Sequence, residues 1–238
     1  SVRVFDPSAD KPKMSLALAQ STLNFLGSLG IELNFGELLT EIHVSETGVP
    51  GSILLAAKEL GIPHFGRVIC SQAFQDIIER MTDVIVEPSQ VLSITARGKK
   101  SEPFLQLSDG QQISADLVIL ADGGRSGLRE KLGFKPQLRD FNRTALIGRL
   151  KVSQPSTGRA LERFVGTGPL AVLPVDRSEY GFIWSLAPPV AASYVERPEL
   201  LIENLNVSLG RMLGSFSISN SPVRVSLVER WIDKPYRP

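Results

Sequence analysis

Hydrophobic and polar positions alternate along this chain in two rhythms. From Ser15 to Leu29 the positions Leu18, Thr22, Phe25, Leu26 and Leu29 recur at helical spacing. Gly30 follows where a left-handed cap is wanted, and Ile31 is placed to fold back on the last turn, so the pattern predicts a helix over 15–29. A second helix is predicted over Gln72–Met81, a short one over about Gly127–Leu132 capped by Ser126 and closed by Gly133, and an amphipathic one over about Pro198–Leu213. Between them the rhythm shortens to two. Strands are predicted at Val2–Asp6, Leu39–Ser45, Ile53–Ala57, Asp83–Val86 and Gln90–Arg97, then at Thr144–Val152, Leu170–Val175, Gly181–Leu186 and Val223–Trp231. Phe104–Leu107 and Gln112–Ser114 flank Asp109-Gly110, whose residues tolerate the positive φ of a tight hairpin turn.

One stretch breaks both rhythms. Asp116-Leu117-Val118-Ile119-Leu120-Ala121 is apolar without alternation, which suits a strand covered on both faces as in a parallel sheet. Strands, a buried parallel-type strand and intervening helices together predict an α/β chain.

Composition narrows the chemistry. The 238 residues carry 42% hydrophobic and 21% charged side chains, enough for a substantial core in one large or two smaller domains. Lys+Arg 26 against Asp+Glu 25 leaves a formal charge of +1, so no field of one sign draws in nucleic acid. Cys70 is the only cysteine, which excludes an intrachain disulfide and any site needing several thiolates. A reducing cytoplasm is the expected compartment, with no apolar run long enough to span a bilayer. His43 and His64 are too few and too far apart for a metal centre, and none is expected. Gly166-x-Gly168-x-x-Ala171 imitates a dinucleotide turn but runs into Val172-Leu173-Pro174 instead of a helix, so it is set aside.

The chemically suggestive segment is Ala121-Asp122-Gly123-Gly124-Arg125-Ser126, at the carboxyl end of the expected buried strand. Ligands of open α/β sheets bind at such ends. A carboxylate there can accept hydrogen bonds from ribose hydroxyls, two glycines let the backbone approach a bulky cofactor, and a helix start offers amides to phosphate. The plainer reading is that Asp-Gly-Gly only turns the chain.

Ala115-Asp116-Leu117-Val118-Ile119-x-Ala121-Asp122-Gly123-x-x-Ser126-x-x-Arg129 resembles a fingerprint of the flavoprotein aromatic hydroxylases, and most nearly that of the 2-polyprenyl-6-methoxyphenol hydroxylases of ubiquinone biosynthesis. Ser15-Leu16-Ala17-Leu18-Ala19, Ile42-His43-Val44-Ser45-x-x-Gly48, Gly168-Pro169-Leu170-Ala171-x-Leu173-Pro174 and Trp184-Ser185-Leu186 resemble further segments of that family. Asp6 stands where the family usually has the acid that binds the adenosine ribose.

The resemblance implies an incomplete Rossmann-like FAD-binding domain interleaved with a mainly antiparallel β-sheet substrate domain. The FAD domain would take residues 1–36 and 68–136, and the substrate domain 37–67 and 137–238. It implies FAD and NAD(P)H as cofactors, with Asp6, Asp122, Gly123, Gly124, Ser126 and Arg129 at the cofactor and Phe182, Trp184 and Leu173 in the substrate pocket. No single catalytic side chain stands out. The substrate implied is a prenylated phenol, and the setting a ubiquinone-biosynthesis complex with room for peripheral contact to the inner membrane.

Two family segments are missing, the opening Gly-x-Gly-x-x-Gly turn and a later Gly-Asp-Ala-Ala-His stretch, so a truncated chain that retains little flavin is expected. Met14 stands where the family tends to have arginine, and Cys70-Ser71 where it often has Glu-Asn. Two other readings stay open: a flavin reductase or halogenase of the same superfamily, and a cofactor-less relative serving as a lipid-binding or scaffold component.

Overall fold

The computed structural model describes residues 2–7, 14–81, 86–96, 103–124, 126–154 and 158–236. In chain order the elements are β1 (Val4–Phe5), β2 (Ser15–Ala19), α1 (Gln20–Ser28), β3 (Glu37–Leu39), β4 (Glu41–Glu46) and β5 (Ser52–Ala56), then a 3-10 turn at Ala57–Leu60. Next come β6 (Gly66–Cys70), α2 (Ser71–Met81), β7 (Val86–Glu87), β8 (Val91–Ala96), β9 (Pro103–Leu107), β10 (Gln112–Ser114) and α3 (Leu128–Lys131). The remainder is β11 (Gln137–Val152), β12 (Arg159–Val165), β13 (Gly168–Pro174), β14 (Glu179–Leu186), α4 (Pro188–Glu196), α5 (Pro198–Leu209), β15 (Phe216–Ile218) and β16 (Val223–Trp231). The chain is thus mixed α/β with open sheets, as its sequence pattern predicts.

By packing, the chain divides into two compact units, Ser1–Lys11 with Thr82–Asp140 and Val228–Pro238, and Pro12–Met81 with Phe141–Leu227. This is a division by packing, whereas the division expected from the sequence is by ligand.

The larger unit is organised by an eight-stranded sheet in the order β15-β11-β14-β13-β12-β4-β5, with β16 also on β11. Along the path from β15 to β5 neighbours run antiparallel except β4 and β12, which are parallel. Because strand side chains alternate between faces, Leu170 and Val172 of β13 and Tyr180, Phe182, Trp184 and Leu186 of β14 share one face. Ala191 and Tyr194 of α4 and Leu201, Leu205 and Leu209 of α5 close over it to make the main core. Gly148 is required here. The Phe182 ring lies across it so closely that a Cβ would stand 2.6 Å from the ring.

The prolines at the starts of α4 and α5 occupy the first helical turn. There the missing N–H leaves no intrahelical bond unmade. That is why α4, absent from the predicted elements, forms directly after β14. The expected helix to Leu213 stops at Leu209 because Gly210, at φ 56°, turns the chain out of the helix. Leu213 still reaches the core, at 1% exposure.

A three-stranded sheet, β2-β6-β3, accompanies α1 and α2 in the same unit. Here the expectation of a helix from Ser15 is corrected. Ser15–Ala19 is a strand antiparallel to β6, because its small and large residues also alternate with period two, and only Gln20–Ser28 is helical. The predicted helix end stands: Gly30, at φ 79°, donates to Gly27 O at 3.0 Å and Ile31 to Leu26 O at 2.9 Å.

The smaller unit holds the parallel pair β1-β7 and the antiparallel β10-β9-β8 sheet. Arg3 makes two 2.7 Å bonds to Glu87 across the parallel pair. Of the strand expected at Asp83–Val86, residues 83–85 lie outside the described residues and Val86 opens β7. The hairpin turn at Asp109-Gly110 forms as expected, with Gly110 at φ 88°.

The strand expected over Asp116–Ala121 is not present. The segment pairs with no strand among the described residues, and Leu117 and Ile119 are 75% and 77% exposed. An apolar run becomes a strand only where neighbours take up its backbone groups. Apolar content alone is no substitute.

Candidate functional site

The loop after this segment is built around Asp122. One carboxylate oxygen, Oδ1, accepts the Gly124 amide at 2.8 Å, and the other, Oδ2, accepts the Ser126 amide at 3.0 Å and also the Ser126 hydroxyl. Ser126 Oγ in turn accepts the Leu128 amide at 3.2 Å, tying the loop to the start of α3. Gly123, Gly124 and Gly127 take φ of 62°, 76° and 70°, a region that side chains with a Cβ rarely enter. The Arg129 guanidinium fills the space where a Gly124 side chain would go. Arg125 lies outside the described residues.

These bonds set the electrostatics. The Ser126 hydroxyl holds the Asp122 carboxyl down at about 2; the Gly124 and Ser126 amides and the nearby Arg129 charge add to this, against the opposing effect of partial burial. Asp122 is therefore an anion across the whole physiological range, and its oxygens organise the turn. A Cβ on Gly123 or Gly127 would meet nothing within 4 Å. That open side leaves the backbone approachable by a bulky ligand, so the loop fits a nucleotide cofactor as a shaped turn with an exposed glycine edge.

The helix is closed as the sequence predicts. Gly133 donates to Glu130 O at 2.8 Å and Phe134 to Arg129 O at 2.9 Å, which ends α3 after a single turn. Lys131 reaches Leu92 O of β8 at 3.2 Å. Asp6 directly follows β1 and donates its amide to Glu87 O at 3.0 Å, so it stands at the carboxyl end of the parallel pair. That end is where open α/β sheets bind ligands.

The other expected site residues lie elsewhere. Phe182 and Trp184 are 0% and 2% exposed on the face covered by α4 and α5, with the Trp184 and Tyr194 ring centroids 5.6 Å apart. A pocket beside them would need space that this packing fills. Leu173 is on the opposite face, packed against a cluster of Leu39, Val68 and Ala160. The structure therefore does not bring these three residues together.

It does bring Met14 and Ser71 together. Met14 donates its amide to Ser71 Oγ at 2.9 Å, and Ser71 donates to Met14 O at 2.8 Å. Two departures from the family pattern, far apart in sequence, thus fall at one spot. Sequence reasoning also missed Glu162, a half-buried carboxylate on the face of the large sheet opposite the helices. No strand is predicted over Arg159–Val165, so nothing in one dimension places Glu162 on a sheet face.

The fold defines a class: it is shared with FAD-dependent monooxygenases and flavin-dependent halogenases. The Klebsiella pneumoniae protein HpxO, solved with FAD and uric acid, superposes with a TM-score of 0.73 at 15% identity, covering 95% of this chain and 61% of that one. PqsL from Pseudomonas aeruginosa, described as a probable FAD-dependent monooxygenase, gives 0.71 at 14% over 92% of this chain and 66% of that one. The flavin-dependent brominase Bmp2 gives 0.76 at 12%, covering 98% and 62%.

In sequence, the chain is similar to the uncharacterized protein slr1300 of Synechocystis, 24% identical over 89% of this chain and 53% of that protein. It is also similar to the ubiquinone biosynthesis monooxygenase COQ6 of Xenopus tropicalis, 32% identical over 42% of this chain and 22% of that protein. No protein-family model matches the chain. The chain spans about half the length of the first of these relatives and less of the second. Its resemblance to the flavoprotein aromatic hydroxylases thus holds in sequence and in fold.

Proposed function

We propose that this chain is part of an FAD-dependent monooxygenase that hydroxylates a prenylated phenol in ubiquinone biosynthesis. The observation that carries the reading is the loop 122–129, whose carboxylate-tied turn presents open glycine backbone at the place the family fingerprint assigns to the flavin nucleotide. Gly123, Gly124 and Ser126 would lie along the nucleotide, Asp122 would hold the turn in shape, Arg129 would supply a positive charge, and Asp6 would meet the adenosine ribose. The two expected domains divide the work between cofactor and substrate. Bound flavin, reduced by NAD(P)H, supplies the oxygen chemistry. The protein contributes orientation and exclusion of water.

The named activity of COQ6 supports the choice of substrate, a phenol with an apolar tail. Such a substrate partitions into lipid, which fits a cytoplasmic protein working at the inner membrane surface within a biosynthetic complex. Among the described residues no helix is long and apolar enough to cross a membrane.

The test is to purify the whole protein of which this chain is part, since the chain alone is expected to retain little flavin, and to record its visible spectrum. Flavin absorbance should be present, and Asp122→Ala should weaken FAD binding at least tenfold, because the turn loses three hydrogen bonds. Incubation with a prenylated phenol, NAD(P)H and labelled oxygen should give a product heavier by one labelled atom. A colourless protein that takes up no added FAD would overturn the reading.

A second reading has its own observation. The meeting of Met14 with Cys70-Ser71 places both departures from the family pattern together, as a cofactor-less scaffold relative would allow. The same spectrum decides between the two.

A further inference from the structure

A pocket of about 220 Å³ opens in the larger unit beside α1. Gln20, Leu23 and Gly27, on one face of the helix, line one side of it. Residues 31–34 line another, and His64 and Arg67, just before and within β6, complete it. None of these residues belongs to the Asp122 loop.

The lining of this pocket is chemically unfinished. Among the described residues, six buried side-chain nitrogen and oxygen atoms lack a hydrogen-bond partner, and three of them, Gln20 Oε1, His64 Nδ1 and Arg67 Nε, belong to residues of this pocket. Buried polar groups are ordinarily paired, so three orphans around one cavity mark a place that a ligand can fill. Arg67 is the anchor. Its Nη1 donates to Phe35 O and Gly36 O at 3.2 Å each, which fixes the guanidinium. Those bonds leave the Nε–Nη2 edge, the fork that takes a carboxylate through two parallel bonds. Among the described residues no carboxylate pairs with Arg67. Gln20 donates from Nε2 to Asn24 Oδ1 at 2.8 Å, so what it has left is an acceptor. The terminal torsions of glutamine and histidine are broad, and small turns about them bring these covered atoms to a ligand in the pocket.

We propose that this pocket binds a small 2-hydroxy carboxylate with an apolar tail. The carboxylate meets the Arg67 fork and a proton on His64 Nδ1, its hydroxyl donates to Gln20 Oε1, and the tail lies against Leu23, Ile31 and Leu33. Two donors and one acceptor in the lining call for a ligand with two acceptor oxygens and one donor, which is the polar content of that class. Glu32, exposed at the same pocket, repels a second negative charge and so favours a monoanion over a dianion such as phosphate. The volume, roughly that of seven waters, suits a molecule of this size. The site stands apart from the hydroxylase reading and does not depend on bound flavin.

The test is calorimetric titration of the whole protein with three ligands: 2-hydroxyisocaproate, isocaproate, which lacks the hydroxyl, and 2-hydroxyisocaproamide, which lacks the charge. Isocaproate should bind about threefold to tenfold more weakly than the hydroxy acid, one neutral hydrogen bond being lost, and the amide at least about tenfold more weakly. Gln20→Leu should abolish the difference between the hydroxy acid and isocaproate while leaving isocaproate binding in place. Arg67→Lys, which keeps the charge and loses the fork, should weaken both acids. Circular dichroism of each variant separates misfolding from lost contact, and the comparison of the three ligands on the unaltered protein needs no variant. Equal affinity for the hydroxy acid and either analogue, or a hydroxyl preference that survives Q20L, would overturn the proposal. So would no binding of any of the three at millimolar concentration, the outcome expected if ordered water alone satisfies these atoms.

Discussion

The helix-covered face of the large sheet and the Asp122 loop are ordered by different forces. Under α4 and α5, order comes from volume: Trp184, Phe182, Leu201 and Leu205 are shut off from water and hold one another in place. Around Asp122, order comes from direction, with two carboxylate oxygens accepting three donors within five residues. Leu117 and Ile119, immediately before it, stay exposed. A packed face tolerates changes of pH and fails when a side chain is cut away. A polar turn tolerates loss of bulk and fails when its charge is removed.

The largest break in this contrast is Trp184→Ala, which should cost about 3–5 kcal/mol of stability in urea denaturation while leaving the Asp122 signals in the folded baseline unmoved. A destabilisation under about 1 kcal/mol would show that the core is looser than its burial says. Next is Gly148→Ala on the same face. The added methyl collides with the Phe182 ring, at an expected cost of about 1–3 kcal/mol, read as a lower midpoint in the same denaturation. An unchanged midpoint would mean that the ring can move aside.

The smallest effect belongs to the loop and depends on pH. The Asp122 carboxyl lies at about 2 in the fold, below its ordinary 3.8. Its contribution is therefore complete above pH 3.8 and is lost as pH falls toward 2. Because the group is only partly buried, screening by solvent reduces that contribution to about 1 kcal/mol or less. An NMR titration of the Asp122 carboxyl should show the low value, and Ser126→Ala should move it upward. A carboxyl titrating near 3.8 in the native chain would contradict the loop geometry.

Much of the fold was legible in one dimension. The helix ends at Gly30 and Gly133, the Asp109-Gly110 hairpin and most strands of the large sheet follow from local rules, since caps and tight turns depend on a few adjacent residues. What failed was whatever depended on a neighbour distant in the chain. Ser15–Ala19 supports helix or strand by pattern and became a strand because β6 pairs with it. Asp116–Ala121 has strand composition and lacks a strand partner among the described residues. The candidate loop was found from Asp122, Gly123 and Gly124, because its bonding closes within five residues. The half-buried place of Glu162 on β12 was not foreseen, because it depends on pairing with β4 and β13, which are distant in the chain or fixed by register.

By itself, the sequence determined the local turns, the alternation of the strands and the chemistry of the loop at Asp122, all of which are settled within a helical turn or a strand's length. The tertiary structure alone decided which face of each strand is covered. It turned Phe182 and Trp184 into core and left Glu162 on the open side, because strand register is set by hydrogen bonds between segments far apart in the chain.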